Sequence, residues 1–404
     1  MGRRFGFRRD APTFVWRTAA MLATLASTGA TIASFWQGDL PASTETARGG
    51  TGERQIPSLP AATSDLNAAY ALERRPSRTV AATYTYSVSV PQLTAAEWEL
   101  FAAEPVNLPG QDILHASTSP EAVVISDASA LRQPVFCVRV QATSPELRRG
   151  ITLSIDVDAR LFARRLIARE EPAPIARPET LPEPQRRLAL RATSQFDYSS
   201  KPVQAWLTGQ GLLRQDQEGD VDYARRVFQT IARHFTYDYR GEQNRAASYV
   251  CAVGKSDCGG LAALFVSALR SQGVPARTLA GRWAVSARPG QRIGGVVYIQ
   301  EHVKAEFFGQ GVGWVPVDLS SAVLHDRTSE KLQYFGHDPG DFVTFHLDTD
   351  LVFDTRRFGR KTYTLLQRPS YWVSGSGSMQ GVVTQEAWTV KSAGPSDPPP
   401  SREP

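Results

Sequence analysis

Apolar and polar positions follow two different periods along this 404-residue chain. At "TVAATYTYSVSVP" they alternate, so Tyr84, Tyr86, Val88 and Val90 fall on one face of a strand. Further β-type runs at "AVVISDA", "PVFCVRVQAT" and "GITLSIDVDARLF" predict a small antiparallel β domain over residues 79–168. The period then lengthens. In "DVDYARRVFQTIARHF" the residues Ala224, Val227, Phe228, Ile231 and Phe235 form a helical stripe, with Asp220 available as its N-cap. A second helix is predicted in "CGGLAALFVSALRSQGVPAR", where Leu261, Leu264, Phe265, Ala268 and Leu269 recur at helical spacing. Gly273 and Pro275 stop it. From Thr278 the pattern is β again, through "RTLAGRWAVSA", "GGVVYIQEHVKAEFF" and "GWVPVD" and on to Val390, and no internal repeat is visible.

The stretches between these blocks are of another character. Residues 1–37 open with "MGRRFGFRRD" and carry no charge from Thr18 to Trp36. A basic start before roughly 17–25 uncharged residues fits a signal peptide or an N-terminal membrane anchor. Ala30 and Ala33 supply small residues for cleavage. The expected location is therefore membrane-anchored with an extracytoplasmic domain, or secreted or periplasmic. Residues 38–78 are small, polar and proline-containing, as in a flexible tether. Pro172, Pro174, Pro178, Pro182 and Pro184 crowd residues 169–187, which excludes a helix interior or central strand and marks a linker. Residues 188–390 then form the second module, and 391–404 read as a disordered tail.

Composition narrows the function classes. A net charge of +5 is mild for this length, and Arg3, Arg4, Arg8 and Arg9 supply much of it. No basic stripe interleaves with aromatics, so nucleic acid is not an expected partner. Three cysteines are too few for a disulfide scaffold. A Cys137–Cys251 bridge stays open for an exported chain, although Cys137 sits in a β run and reads as a small buried apolar residue. No acidic loop has calcium-ligand spacing, so neither metal nor cofactor is expected.

The chemistry concentrates on Cys258, at the first position of the second helix. Free backbone N–H groups and the partial positive charge there favour a thiolate, and the same N–H groups could hold an oxyanion. Gly259 and Gly260 leave the sulfur uncrowded and allow close approach. A partner base is available in His302, on one face of a strand with Lys304 and Glu306, while Val303, Ala305 and Phe307 occupy the other. After a "GQGVG" turn, "WVPVD" ends in Asp318, which an antiparallel pairing brings beside His302. Cys258 is then the nucleophile, His302 the base and later acid, and Asp318 the group that orients the ring. Cys251, seven residues before Cys258, would silence the thiol if the two were bridged.

The blocks "DCGGLAALFVSALRSQGVPARTLAGR" and "EHVKAEFFGQGVGWVPVD", with the preceding helix and "FTYDY", resemble the transglutaminase-like superfamily of papain-type thiol enzymes over about Asp220–Ser321. The resemblance implies an α+β fold, with the cysteine helix packed on an antiparallel sheet and a small β domain before it. It also implies a Cys258–His302–Asp318 triad. Two positions depart from the family pattern. Lys304 stands where tryptophan is usual, removing a wall of the site and placing a cation near the sulfur. Asp257 precedes the cysteine where papain-like enzymes have glutamine, leaving Gln243 and Tyr249 as candidates for the second oxyanion donor.

The expected activity is thiol acyl transfer on peptide or glutamine amide bonds, with protein or peptide as substrate and hydrolysis favoured over cross-linking. The alternative is a non-catalytic transglutaminase-fold module that binds or supports an envelope assembly. The sequence does not indicate an oligomeric state.

Overall fold

The computed structural model describes residues 69–169, 179–288, 300–328 and 332–395, with positions 290, 292–293 and 296–297 besides. The predicted leader (1–37), most of the tether and the chain after Pro395 lie outside the described residues. The fold is α+β with antiparallel sheets, as expected.

Six strands come first: β1 (Tyr70–Ser89), β2 (Leu93–Ala103), β3 (Gln111–Ser119), β4 (Val123–Ser126), β5 (Pro134–Gln141) and β6 (Gly150–Ala168). Helices follow: α1 (Glu183–Leu188), α2 (Lys201–Gly209), α3 (Asp220–His234), α4 (Ala247–Val253) and α5 (Cys258–Ser271), with the short strands β7 (Thr236–Tyr237) and β8 (Lys255–Ser256) among them. The later elements are β9 (Ala276–Trp283), β10 (Arg292–Ile293), β11 (Val296–Val297), β12 (Glu301–Gly309), β13 (Gly313–Val317), α6 (Leu319–His325), β14 (His337–Asp338) and β15 (Phe342–Leu347). Four more strands end the described chain: β16 (Leu351–Thr355), β17 (Gly359–Tyr363), β18 (Ser370–Gly377) and β19 (Val383–Pro395).

Alternation in β1 works as the sequence predicts: Tyr84, Tyr86, Val88 and Val90 are all buried, in a core with Trp98, Phe101, Leu153 and Val157. That core recruits the end of the chain. β19 pairs with β1 and β18 with β2, so Trp372, Val373 and Trp388 are buried against the first module's strands. The first strand also begins at Tyr70, before the predicted boundary, and the last runs to Pro395. Pairings between positions some 300 residues apart leave no local pattern to read.

The second core surrounds α5, which is buried along most of its length. α5 lies on the sheet of order β13-β12-β9-β15, with Phe265 edge-on to Phe307 at 6.3 Å. Gly273 adopts φ 79° just beyond the helix, as its position predicts. Two local expectations change. The N-cap of α3 is Gly219, because Asp220 is drawn into an ion pair with Arg214 at 2.8 Å and accepts the Gln310 amide at 2.9 Å. The proline-rich linker ends in α1, where Pro184 occupies the first turn and the missing N–H breaks no helical hydrogen bond.

Candidate active site

Strand β12 carries the site. Its register sets His302 opposite Gly281, Lys304 opposite Leu279 and Glu306 opposite Arg277 of β9, while Ala305 faces Val317 of β13. Val303, Ala305 and Phe307 pack into the helix core, and His302, Lys304 and Glu306 are buried on the opposite face. β13 ends at Val317, so Asp318 arrives beside the histidine: His302 Nε2 lies 2.8 Å from Asp318 Oδ2. Asp318 is also the N-cap of α6, accepting the Ser321 amide at 3.0 Å and the Ser321 hydroxyl at 2.8 Å. Burial alone would raise this carboxyl. The His302 ring, Lys304 and the Ser321 amide outweigh it and hold Asp318 well below the usual carboxylate range. Asp318 is thus a fixed acceptor that commits Nε2 and leaves Nδ1 as the free ring nitrogen.

The imidazole is boxed in by side chains the motif reading missed. Trp283 of β9 stacks on it, with ring centroids 4.6 Å apart, and Phe342 of β15 meets it edge-on at 6.0 Å. Trp283 shares the face of Gly281, opposite His302, so alternation along β9 was the available signal. The wall that Lys304 was expected to remove is supplied from this neighbouring strand. Nor does the Lys304 ammonium point to the sulfur: it lies 3.4 Å from Asp338 and 3.6 Å from Asp341.

Cys258 begins α5, half-buried, beside the start of β12, with the Val303 backbone N–H in range of its sulfur. Asp257 caps the helix by accepting the Gly260 amide at 3.2 Å, and Arg245 binds both carboxylate oxygens of Asp257 at 2.6–3.0 Å. The glycines serve these neighbours. A Cβ at Gly260 would collide with Ser256, and one at Gly259 would press on Arg245.

The expected low-pKa thiol is not what this environment makes. Burial, then the Asp257 carboxylate, push the Cys258 thiol up, against the smaller pull of Arg245 and the Val303 amide. A helix N-terminus supplies only about half a charge, and a full carboxylate sits next to the sulfur. Burial and this carboxylate thus favour the thiol form of the sulfur. Among the described residues the His302 ring hydrogen-bonds Asp318 and not the sulfur.

Of the other sequence candidates, Tyr249 is exposed, whereas the Gln243 side-chain amide nitrogen is buried without a hydrogen-bond partner. All three cysteines are free, with Cys137 in the first core and Cys251 packed on the second. No cluster of metal-ligating side chains occurs among the described residues. A surface depression of about 430 Å³ lies on the β-rich part, between Val88, Leu147, Ile151 and Val383, and none of these residues belongs to the candidate site.

A cysteine helix on an antiparallel sheet that carries a histidine–aspartate pair defines a class of fold and site. Residues 210–319 match the model of the transglutaminase-like superfamily, which spans both motif blocks quoted above. No curated protein sequence matches the chain. Among solved structures it is similar to a provisionally assigned cysteine protease from Cytophaga hutchinsonii, at 12% identity and a TM-score of 0.47, covering 79% of this chain and all of that one. It is also similar to the periplasmic domain of TgpA from Pseudomonas aeruginosa, at 15% identity and a TM-score of 0.33, covering 68% of this chain and 96% of that one. A third likeness is to red sea bream transglutaminase, at 11% identity and a TM-score of 0.29, covering 71% of this chain and 59% of that one. Each score is below 0.5, so these likenesses assign no activity.

Proposed function

We propose that this chain is a thiol acyl-transfer enzyme acting on peptide or glutamine amide bonds, with Cys258, His302 and Asp318 as its triad. The observation that carries the reading is the buried 2.8 Å His302–Asp318 pair at the start of the strand that packs against the cysteine helix. With Nε2 held by Asp318, Nδ1 takes the Cys258 proton as the sulfur bonds to the substrate carbonyl carbon. The C=O electrons move onto oxygen, where N–H groups at the start of α5 can receive them. Collapse of that intermediate breaks the C–N bond, and the departing amine takes the proton from His302. A thioester remains. Water attacks it, gives a proton to His302, and releases the carboxylic acid as the proton returns to sulfur. An environment that favours the thiol suits this sequence, since base and nucleophile act together during attack.

Hydrolysis is favoured over amine transfer because water needs no dedicated acceptor site. Export or membrane anchoring is proposed from the uncharged stretch Thr18–Trp36. Among the described residues no helix is long and apolar enough to cross a bilayer.

A second reading, a non-catalytic binding module on the same scaffold, is favoured by the raised thiol and by the absence of a His302–sulfur hydrogen bond among the described residues. A peptide carrying a thiol-reactive electrophile separates the two. The enzyme reading expects one adduct, on Cys258, that disappears in Cys258→Ala and falls by about 10²–10⁴ in His302→Ala. A scaffold would leave Cys258 unmodified, or modified at the same rate with and without the histidine.

A further inference from the structure

Lys304 is buried two residues beyond His302 on the same face of β12, where a lysine is costly unless its charge is paired. Its ammonium lies 4.6 Å from the Trp283 ring centre and 4.9 Å from that of Phe342. These are the same two rings that pack on the imidazole. Asp338 at 3.4 Å and Asp341 at 3.6 Å draw the ammonium to its place, and Arg164 ties Asp338 in turn at 3.6 Å to the first β module. An apolar side chain would fill this volume without two carboxylate partners, so packing alone does not account for the residue.

We infer that Lys304 is a positioning residue for the thiol–imidazole pair: it clamps Trp283 and Phe342 around His302 and supplies a fixed positive charge that eases proton loss from the pair. The inference rests on the proposed exchange of a proton between Cys258 and His302. Other charged or titratable groups surround that pair. Asp318 lies on the ring, and Tyr334 is within electrostatic reach of Asp318. Arg282 pairs with Glu301 at the strand's start, and Arg245, Asp257 and Tyr239 stand near the sulfur. Changing Lys304 removes its charge and its hold on the two rings together, and leaves Asp338 and Asp341 without that cation. Burial lowers the lysine's proton affinity, but Asp338, Asp341 and Asp318 more than restore it, and the charge persists through the neutral range.

The sign follows from electrostatics. Removing a cation raises every proton-loss midpoint nearby, and removing an anion lowers it. The test is the pH profile of iodoacetamide alkylation at Cys258 in the full-length protein, read from the mass of its peptide. Cys137 and Cys251 serve as internal references, and thermal melts confirm folding. Lys304→Met is expected to move the midpoint up by about one pH unit, the scale of one unit charge within roughly 10 Å at an effective dielectric near 20. Asp341→Asn, at a partly exposed partner, is the milder variant and is expected to move it down, so the idea stays testable if Lys304→Met does not fold. Alkylation that keeps its wild-type midpoint in both variants, or that falls equally at all pH values, would show Lys304 to be structural only and overturn the inference. If wild-type Cys258 reacts independently of His302, the proposed triad itself fails and takes this inference with it. A fast, His302-dependent wild type with unmoved variant midpoints sinks the inference alone.

Discussion

The two faces of β12 are built on opposite principles. On one, Val303, Ala305 and Phe307 meet Leu261, Phe265 and Phe335 in an ordinary apolar core. On the other, His302, Lys304 and Glu306 are also buried, yet each is held by a polar partner: Asp318, Asp338 and the guanidiniums of Arg164 and Arg277. Glu306 lies between Arg164 and Arg277, the latter at 2.8 Å. Burial opposes its charge, but the two guanidiniums keep its carboxyl below the usual range. The apolar face is interchangeable in kind, whereas the polar one must be specified pair by pair. A strand that only held the sheet together would not need the second arrangement. The proposed triad's histidine lies on this second face.

Substitutions on each face test that contrast. Glu306→Gln leaves the buried Arg164 and half-buried Arg277 short of a counter-charge and should lower unfolding stability by about 3–5 kcal/mol in denaturant melts. Phe307→Ala should cost a similar ~3–5 kcal/mol through the cavity it leaves. The difference lies in salt and pH. The Glu306 contribution is fully present above about pH 4.5, the ordinary carboxyl range, and disappears as pH falls through its depressed value. The loss at Phe307 should be the same at every pH. Equal pH dependence for the two variants would erase the distinction.

A smaller effect is expected at His346. This buried ring is pushed down to about 4 by desolvation, and its Nε2 accepts the Leu366 amide at 2.9 Å. Its unfolded form binds a proton below about 6.5 and the folded form does not. Stability should therefore be lost progressively as pH falls from about 6.5 to about 4, by roughly 3 kcal/mol, and no further below that. His346→Gln should flatten that slope, which urea titrations at pH 7 and pH 4.5 would read.

The smallest is Ser321→Ala, which removes one of the hydrogen bonds holding Asp318 and should cost about 1 kcal/mol with a modest slowing of Cys258 alkylation. A large rate loss there would mean that Asp318 is positioned far less redundantly than its other contacts suggest.

The apolar half of this architecture was legible in the sequence. Helical spacing located α5 with its cysteine at the first position, and alternation put His302 and Val303 on opposite faces of a strand. The turn after Gly309 was enough to bring Asp318 to the histidine. What the chain did not reveal depends on distant partners. Arg164 reaches Glu306 across 142 positions, and Asp338 finds Lys304 from 34 away. Arg245 lies on Asp257 from a loop with no periodic pattern, and it was missed for that reason. The expectation of an acidic thiol is opposed by features of another kind. The helix terminus was read correctly, but sequence gives no measure of burial, and burial with the Asp257 carboxylate outweighs the helix.

The central claim, that Cys258 reacts because His302 accepts its proton, is tested most directly by competitive alkylation of the native protein at neutral pH. Cys251 is half-buried like Cys258 and is pushed up to about 11 by burial, so it serves as the internal standard for a thiol without a base. The account predicts that Cys258 is labelled at least tenfold faster than Cys251 and loses that advantage in His302→Ala. Labelling of Cys258 no faster than Cys251, or an advantage that survives the loss of the imidazole, would contradict it.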